Sequence, residues 1–135
     1  MKTLKRQHGI SMPLLVLIIA IGGFFLLCAF RLVPVYVENR YVVAALNSLG
    51  NDPEQLHTMS ARQIRQELQR FYQINNVNSP GPTQNIDVDK RSASTVVNIN
   101  YETRVPLLWN IDFMVSFENQ LDSARPNACC RPVAD

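Results

Sequence analysis

Histidine is nearly missing from this chain: His8 and His57 are the only two in 135 residues. A metal centre or a nucleophile–base pair built on imidazole needs further ligands or a nucleophile at a usable spacing, and neither histidine has them. Glycine is also scarce, with five residues, and none of them shapes a phosphate-cradling loop or a tight elbow around a serine. Charged side chains make up 18% of the chain, 13 basic against 11 acidic. The basic ones are dispersed rather than gathered on one face with aromatics, so nucleic acid is not expected as a partner. These shortages argue against an enzyme, and no cofactor or metal site is expected.

Cysteine is limited to three residues, too few and too badly placed for a disulfide framework. Cys28 lies in an apolar run and reads as a small hydrophobe. Cys129 and Cys130 are adjacent and lack the two-residue spacer of a thioredoxin-like motif. The sequence leaves three states open for them: a vicinal disulfide, bridges to another chain, or free thiols.

What the chain does possess is a long uncharged stretch from Gly9 to Phe30. One helix of that length crosses a hydrocarbon core of roughly 30 Å. Lys2, Lys5 and Arg6 precede it without an acid among them, which places the N-terminus in the cytoplasm and the rest of the chain outside. The expected location is a bacterial inner membrane, crossed once, with a periplasmic C-terminal domain. A cleaved signal is disfavoured because Leu27 and Ala29 give no small-x-small site at the exit, and bulky Leu27 before Cys28 argues against a lipoprotein. Ala20, Gly22 and Gly23 narrow the helix without a clean small-xxx-small repeat, so self-association is left undecided.

The expected organisation is a basic leader over 1–8, a transmembrane helix over 9–33, a small domain over 34–121 and a flexible tail over 122–135. About 100 residues outside the membrane suffice for one core. The helix is expected to run on past Pro34, a place for a bend, with Val37, Tyr41, Ala44, Ala45 and Leu49 on its buried face, and to end at Gly50 and Pro53. Ser60 and Gln63 have capping-box spacing, and Ala61, Ile64, Leu68, Phe71 and Tyr72 form the apolar stripe of a second helix. Arg62, Arg65 and Arg70 fall on its solvated side.

Asn75 to Gln84 contains Ser79-Pro80-Gly81-Pro82 and reads as a loop. Period-two patterning then predicts a strand at Ile86 and Val88, a longer one from Val97 to Val105 interrupted by Pro106, and a third from Ile111 to Phe117. The fold class is α+β: an N-terminal transmembrane helix extending into a small domain, with a second amphipathic helix packed on a three-stranded antiparallel sheet. Setting Val105 opposite Ile111 places Arg104 across from Asp112, which gives that acid a structural role and makes the carboxylates Glu102 and Asp112 poor catalytic candidates.

Lys5-Arg6-Gln7-His8-Gly9 followed by Ile10-Ser11 resembles the leader of type IV pilin precursors, which implies cleavage after Gly9. Pilins carry a glutamate at the fifth position after the cut, where this chain has Leu14, preceded by Pro13. An intramembrane carboxylate is the assembly handle of that family, so retention of Lys2 to Gly9 is expected and a pilin-like subunit is the alternative reading. A second resemblance rests on Tyr101-Glu102-Thr103-Arg104-Val105-Pro106-Leu107, on Asn110-Ile111-Asp112 and Phe117, and on Leu32-Val33-Pro34-Val35-Tyr36 with the leader. Together these resemble a family of small single-pass proteobacterial inner-membrane proteins known only as a domain of unknown function, often encoded near signal peptidase I and ribonuclease III. The likeness reaches about Leu121, leaves the cysteine pair outside, and brings no catalytic residue with it.

The function these readings imply is a membrane-anchored, non-catalytic interaction or accessory protein of an envelope complex, held by the lipid bilayer through its helix and joined to an envelope protein partner. Leu107, Leu108 and Trp109, three bulky apolar residues at a hairpin tip, are its candidate contact; such groups pack on the domain, dip into the membrane interface or meet a partner. Trp109→Ala is expected to spare the fold and weaken that association.

Overall fold

The computed structural model describes residues 11–132, so the basic leader, the Gly9–Ile10 junction and residues 133–135 lie outside it. Helix α1 runs from Met12 to Gly50, 39 residues, or about 58 Å at 1.5 Å per residue. Ser11 precedes it in extended conformation, and Pro13 sits in the first turn, where a missing N–H is tolerated. The helix passes through Pro34 without ending, so Pro34 leaves one carbonyl a turn earlier without its usual donor. No described residue in the apolar stretch of α1 is fully buried, while Val42, Ala45, Leu46 and Gly50 at its other end are.

That buried face differs from the expected one. Ala45 and Leu49 pack on the core, but Val37 and Tyr41 are exposed and Val35, Val42 and Leu46 take their places. Apolar residues surround this part of α1, so periodicity offers several stripes, and the polar Asn39 turns inward to join the one that is used.

Pro53 starts a short helix instead of only ending the previous one: α2 spans Pro53–Thr58, capped by Asp52, which accepts from the Gln55 N–H at 3.0 Å. Helix α3 covers Ala61–Ile74 and begins with the expected capping box, Gln63 N–H to Ser60 Oγ at 3.3 Å and Ser60 N–H to Gln63 Oε1 at 2.8 Å. Its stripe of Ile64, Leu68 and Tyr72 is buried. Lys90 Nζ donates to the carbonyls of His57 and Met59 and so closes the end of α2.

Helix α4, Pro80–Gln84, replaces part of the expected loop. Both prolines lie in its first turn, where the amide hydrogens they lack would have no helical partner. Gly81 is required there by a close approach: a Cβ would sit 2.6 Å from Cδ2 of the Tyr101 ring.

The sheet is an antiparallel meander in the order β1 (Ile86–Lys90), β2 (Thr95–Leu108), β3 (Ile111–Asp122). Strand β2 continues through Pro106, contrary to expectation. Strand β1 pairs only with Thr95 to Ile99, so at Pro106 one edge of β2 is free and no ladder bond is lost. The register is shifted by two residues from the expected one: Val105 faces Phe113, Arg104 faces Met114 and Glu102 faces Ser116, with a bulge between Pro106 and Leu108. An even shift keeps each side chain on its face. Arg104 and Asp112 still meet diagonally, at 3.7 Å.

The segment after Asp122 is not a loose tail as far as it is described. A 3-10 turn at Pro126–Ala128 returns the chain to the sheet, and the Gln120 N–H donates to the Cys130 carbonyl at 3.3 Å. The cause is apolar: Cys130 is buried against the core.

The core joins α1, α2, α3 and the inward face of the sheet around Leu46, Leu56, Leu68, Tyr72, Val97, Ile99 and Leu121. Tyr72 carries a cost within it, since its hydroxyl is buried with no hydrogen-bond partner among the described residues. Burial first, and the Tyr101 phenol second, push the Tyr72 pKa well up; burial and then the Glu38 carboxylate do the same to Tyr101. The unfolded phenols ionise near their ordinary value of about 10 while the folded ones stay protonated, so stability is expected to fall as pH rises past about 10. Tyr72→Phe should reduce that fall. It should also raise stability at neutral pH by about 1 kcal/mol, an unsatisfied buried hydroxyl costing about 1–3 kcal/mol and the vacated space offsetting part of the gain. Urea denaturation of both chains at neutral and alkaline pH measures the two effects.

Candidate functional site

Two polar clusters lie where α1 enters the domain, and both are occupied by structural bonds. Asn39 Oδ1 accepts from the Tyr101 hydroxyl at 3.1 Å and from Asn119 Nδ2 at 2.8 Å, and Asn119 Nδ2 also reaches the Ile99 carbonyl at 3.4 Å. One position up the helix, the Glu38 carboxylate accepts from the N–H and the hydroxyl of Ser79. The first cluster ties α1 to β2 and β3; the second ties it to the start of α4. Tyr36 adds an edge-on ring contact to Phe117, with centroids 5.4 Å apart. These bonds fix the rotation of α1 against the sheet, and therefore fix where the far end of the β2–β3 hairpin stands.

That far end carries the apolar residues singled out in the sequence, but not as one patch. Leu107 is 6% exposed and turned inward, whereas Leu108 is 46% and Trp109 103% exposed. Ile111 at 59% and Met114 at 58% join them, although their alternation in the sequence reads as an ordinary strand. The signal available for Ile111 was its adjacency to the turn, where inward-facing positions run out of core to face. Leu107 departs from the expected exposed tip because side-chain direction near the bulge depends on the register.

Trp109 and Asn110 form the turn between β2 and β3, and Trp109 has φ 44°. A left-handed conformation at the first turn position is the place for glycine; a residue with a Cβ is less stable there by about 1–2 kcal/mol. The largest side chain in the alphabet therefore occupies a strained position with no protein around it. Strain of this kind is a reason to look for function.

Cys129 and Cys130, the other residues singled out, are joined by a vicinal disulfide across a cis peptide bond. Cys130 Sγ lies 3.7 Å from the Val43 carbonyl of α1. The pair thus stands against the helix at the opposite end of β3 from the tip, and the structure does not bring the two features together. Cys28 is a free, half-buried thiol on α1. Glu102 is exposed on the outward face of β2, and Asp112 is paired with Arg104.

The arrangement defines a class: a small α+β domain built on the C-terminal half of a helix that is long and apolar enough to cross a membrane. Residues 31–117 match the family described as domain of unknown function DUF4845, and the chain belongs to that family. The match begins where the apolar stretch ends, includes the whole hairpin tip, and stops before the cysteine pair. The chain has no significant match among curated proteins or solved structures.

Proposed function

We propose that this protein is a membrane-anchored, non-catalytic interaction module of a bacterial envelope complex, its helix crossing the inner membrane and its domain lying in the periplasm. The observation that carries the reading is the continuity of α1, which supplies the apolar stretch and, without a break, the buried Val42, Ala45 and Leu46 of the domain. A flexible linker would let a domain diffuse to soluble substrates. A single helix pinned by Asn39 and Tyr36 instead holds one surface at a set height and rotation above the bilayer, which suits contact with a neighbour in the same membrane. The outward orientation of the domain rests on Lys2, Lys5 and Arg6.

Copurification of the full chain from native membranes after mild crosslinking tests the reading, with a discrete envelope partner as the expected outcome. Recovery of the chain alone, from crosslinked and uncrosslinked membranes alike, would overturn it. Ser92 is exposed in the β1–β2 turn, so Ser92→Cys should react with a membrane-impermeant maleimide in cells whose inner membrane is intact. Labelling only after that membrane is ruptured would reverse the orientation. Intact-mass analysis of the same preparation should find the leader retained; an N-terminus at Ile10 would favour the pilin-like alternative.

A further inference from the structure

The exposed hairpin tip has a position as well as a composition. Among the residues of α1 that lose exposure, Cys28, Leu32, Val35, Asn39, Val42 and Leu46 are spaced by four and three in alternation, which is one continuous helix face. Along β2 the inward side chains Tyr101, Val105 and Leu107 are buried and Thr103 is half-buried, while on β3 Val115 and Phe113 are half-buried and only Ile111, beside the turn, is exposed. The hairpin therefore lies along α1 well above the compact core. The pairing of Tyr36 with Phe117 fixes the levels of helix and strand at one point. From Phe117 to Ile111 the strand rises about 20 Å at roughly 3.3 Å per residue, which corresponds to about 13 helical residues at 1.5 Å each. A parallel course would reach the low twenties of α1, and sheet twist shortens it towards Leu27 and Cys28, where exposure along α1 is first reduced. Both levels fall beside the uncharged stretch that closes at Phe30.

The outward face of the hairpin changes character along its length in the same direction. Asn100, Glu102, Ser116 and Glu118 occupy its lower part, and Pro106, Leu108 and Met114 its upper part, with Trp109 and Ile111 at the end. The two charges in this region, Arg104 level with Met114 and Asp112 level with Pro106, pair with each other across 3.7 Å. Asn110 is the one other polar side chain above the level of Arg104.

We infer that the β2–β3 hairpin inserts its tip into the bilayer that α1 crosses, on the side where the domain lies, with Trp109, Leu108 and Ile111 at the boundary between headgroups and acyl chains. This rests on α1 being a membrane span. Tryptophan favours that boundary because its ring is apolar and its indole N–H still finds polar partners. The occupant of the patch is lipid rather than a protein, since the patch runs along the same helix into the same depth as the span. The helix and the tip then hold the domain at two points, which removes its freedom to swing about the helix exit.

Trp109 is the sole tryptophan in the chain, so its fluorescence reports the tip alone. The experiment is the full chain reconstituted into phosphatidylethanolamine–phosphatidylglycerol vesicles and washed with carbonate. The expected result is retention on the vesicles, emission shifted to short wavelength, loss of fluorescence when the lipids carry bromine high on the acyl chains, and protection from acrylamide. The Leu108→Asp, Ile111→Asp double variant should stay on the vesicles and shift the emission back towards that of tryptophan in water. A retained chain whose tryptophan is quenched by acrylamide and untouched by brominated lipid would overturn the inference while leaving the anchor in place. A short-wavelength shift seen in native membranes but absent in pure lipid would overturn it in favour of a protein partner. A chain removed by carbonate would overturn the anchor and this inference with it.

Discussion

Asn39→Leu is expected to destabilise the domain by about 2–4 kcal/mol, although leucine is the better helix former. Asn39 Oδ1 is the shared acceptor for the Tyr101 hydroxyl and Asn119 Nδ2. Removing it strands two donors at once on residues that are themselves buried, and each unsatisfied group costs about 1–3 kcal/mol. Asn119 keeps a 3.4 Å bond to the Ile99 carbonyl, which is why the total stays below the sum of two full penalties. The apolar segment of α1 does not depend on this contact, so the loss should appear as faster amide exchange in β2 and β3 with the membrane helix unchanged. Adding Asn119→Leu and Tyr101→Phe should return part of the stability, because an apolar replacement of every partner leaves no orphan. If the single variant exchanges like the parent, the three side chains do not form the junction described above.

The same junction shows why some of this structure was readable in the sequence and some was not. Features with local causes were legible: Ser60 and Gln63 cap α3 through bonds three residues apart, and the period-two runs around Ile99 and Val115 became paired strands. Features set by distant partners were not. Nothing near Asn39 says that a polar residue turns inward, since its partners lie 62 and 80 residues away. Pro106 stays in β2 because β1 stops short of it, and Cys130 docks because Val43 and Gln120 form a surface for it.

The tip was half legible. An apolar cluster beside a proline announces a turn, but a two-residue turn headed by Trp109 at positive φ is the least expected way to close it. The longer loop assumed instead produced the two-residue register error and the wrong side for Leu107. The depth of the tip beside the apolar stretch of α1 was not legible at all, because it depends on the height at which Tyr36 meets Phe117.

Leu121→Ala is expected to cost about 2–5 kcal/mol, and the cost should depend on what stands at position 50. Leu121 is fully buried opposite Val97 on β2, and it fills the space beside the last residue of α1. A Cβ on Gly50 would lie 3.0 Å from Leu121 Cδ1 and 3.9 Å from Cδ2. The backbone of Gly50 is helical with no positive φ, so alanine meets no conformational strain and the contact alone decides its effect. In the parent chain, Gly50→Ala gains about 1 kcal/mol of helix propensity and loses a similar amount or more to crowding against a leucine that has no room to move. In the Leu121→Ala background the crowding is gone and the new methyl enters the cavity, so the propensity gain stands and packing is partly restored. The double-mutant cycle should therefore show favourable coupling of about 1–2 kcal/mol, measured by urea denaturation of the domain in detergent. Additivity within about 0.5 kcal/mol would show that α1 and β3 do not bear on each other at this point. Because this contact and the Tyr36–Phe117 pair lie at two heights on the same helix, loosening the lower one should also let the hairpin tilt, and the Trp109 emission of Leu121→Ala in vesicles should move towards that of tryptophan in water.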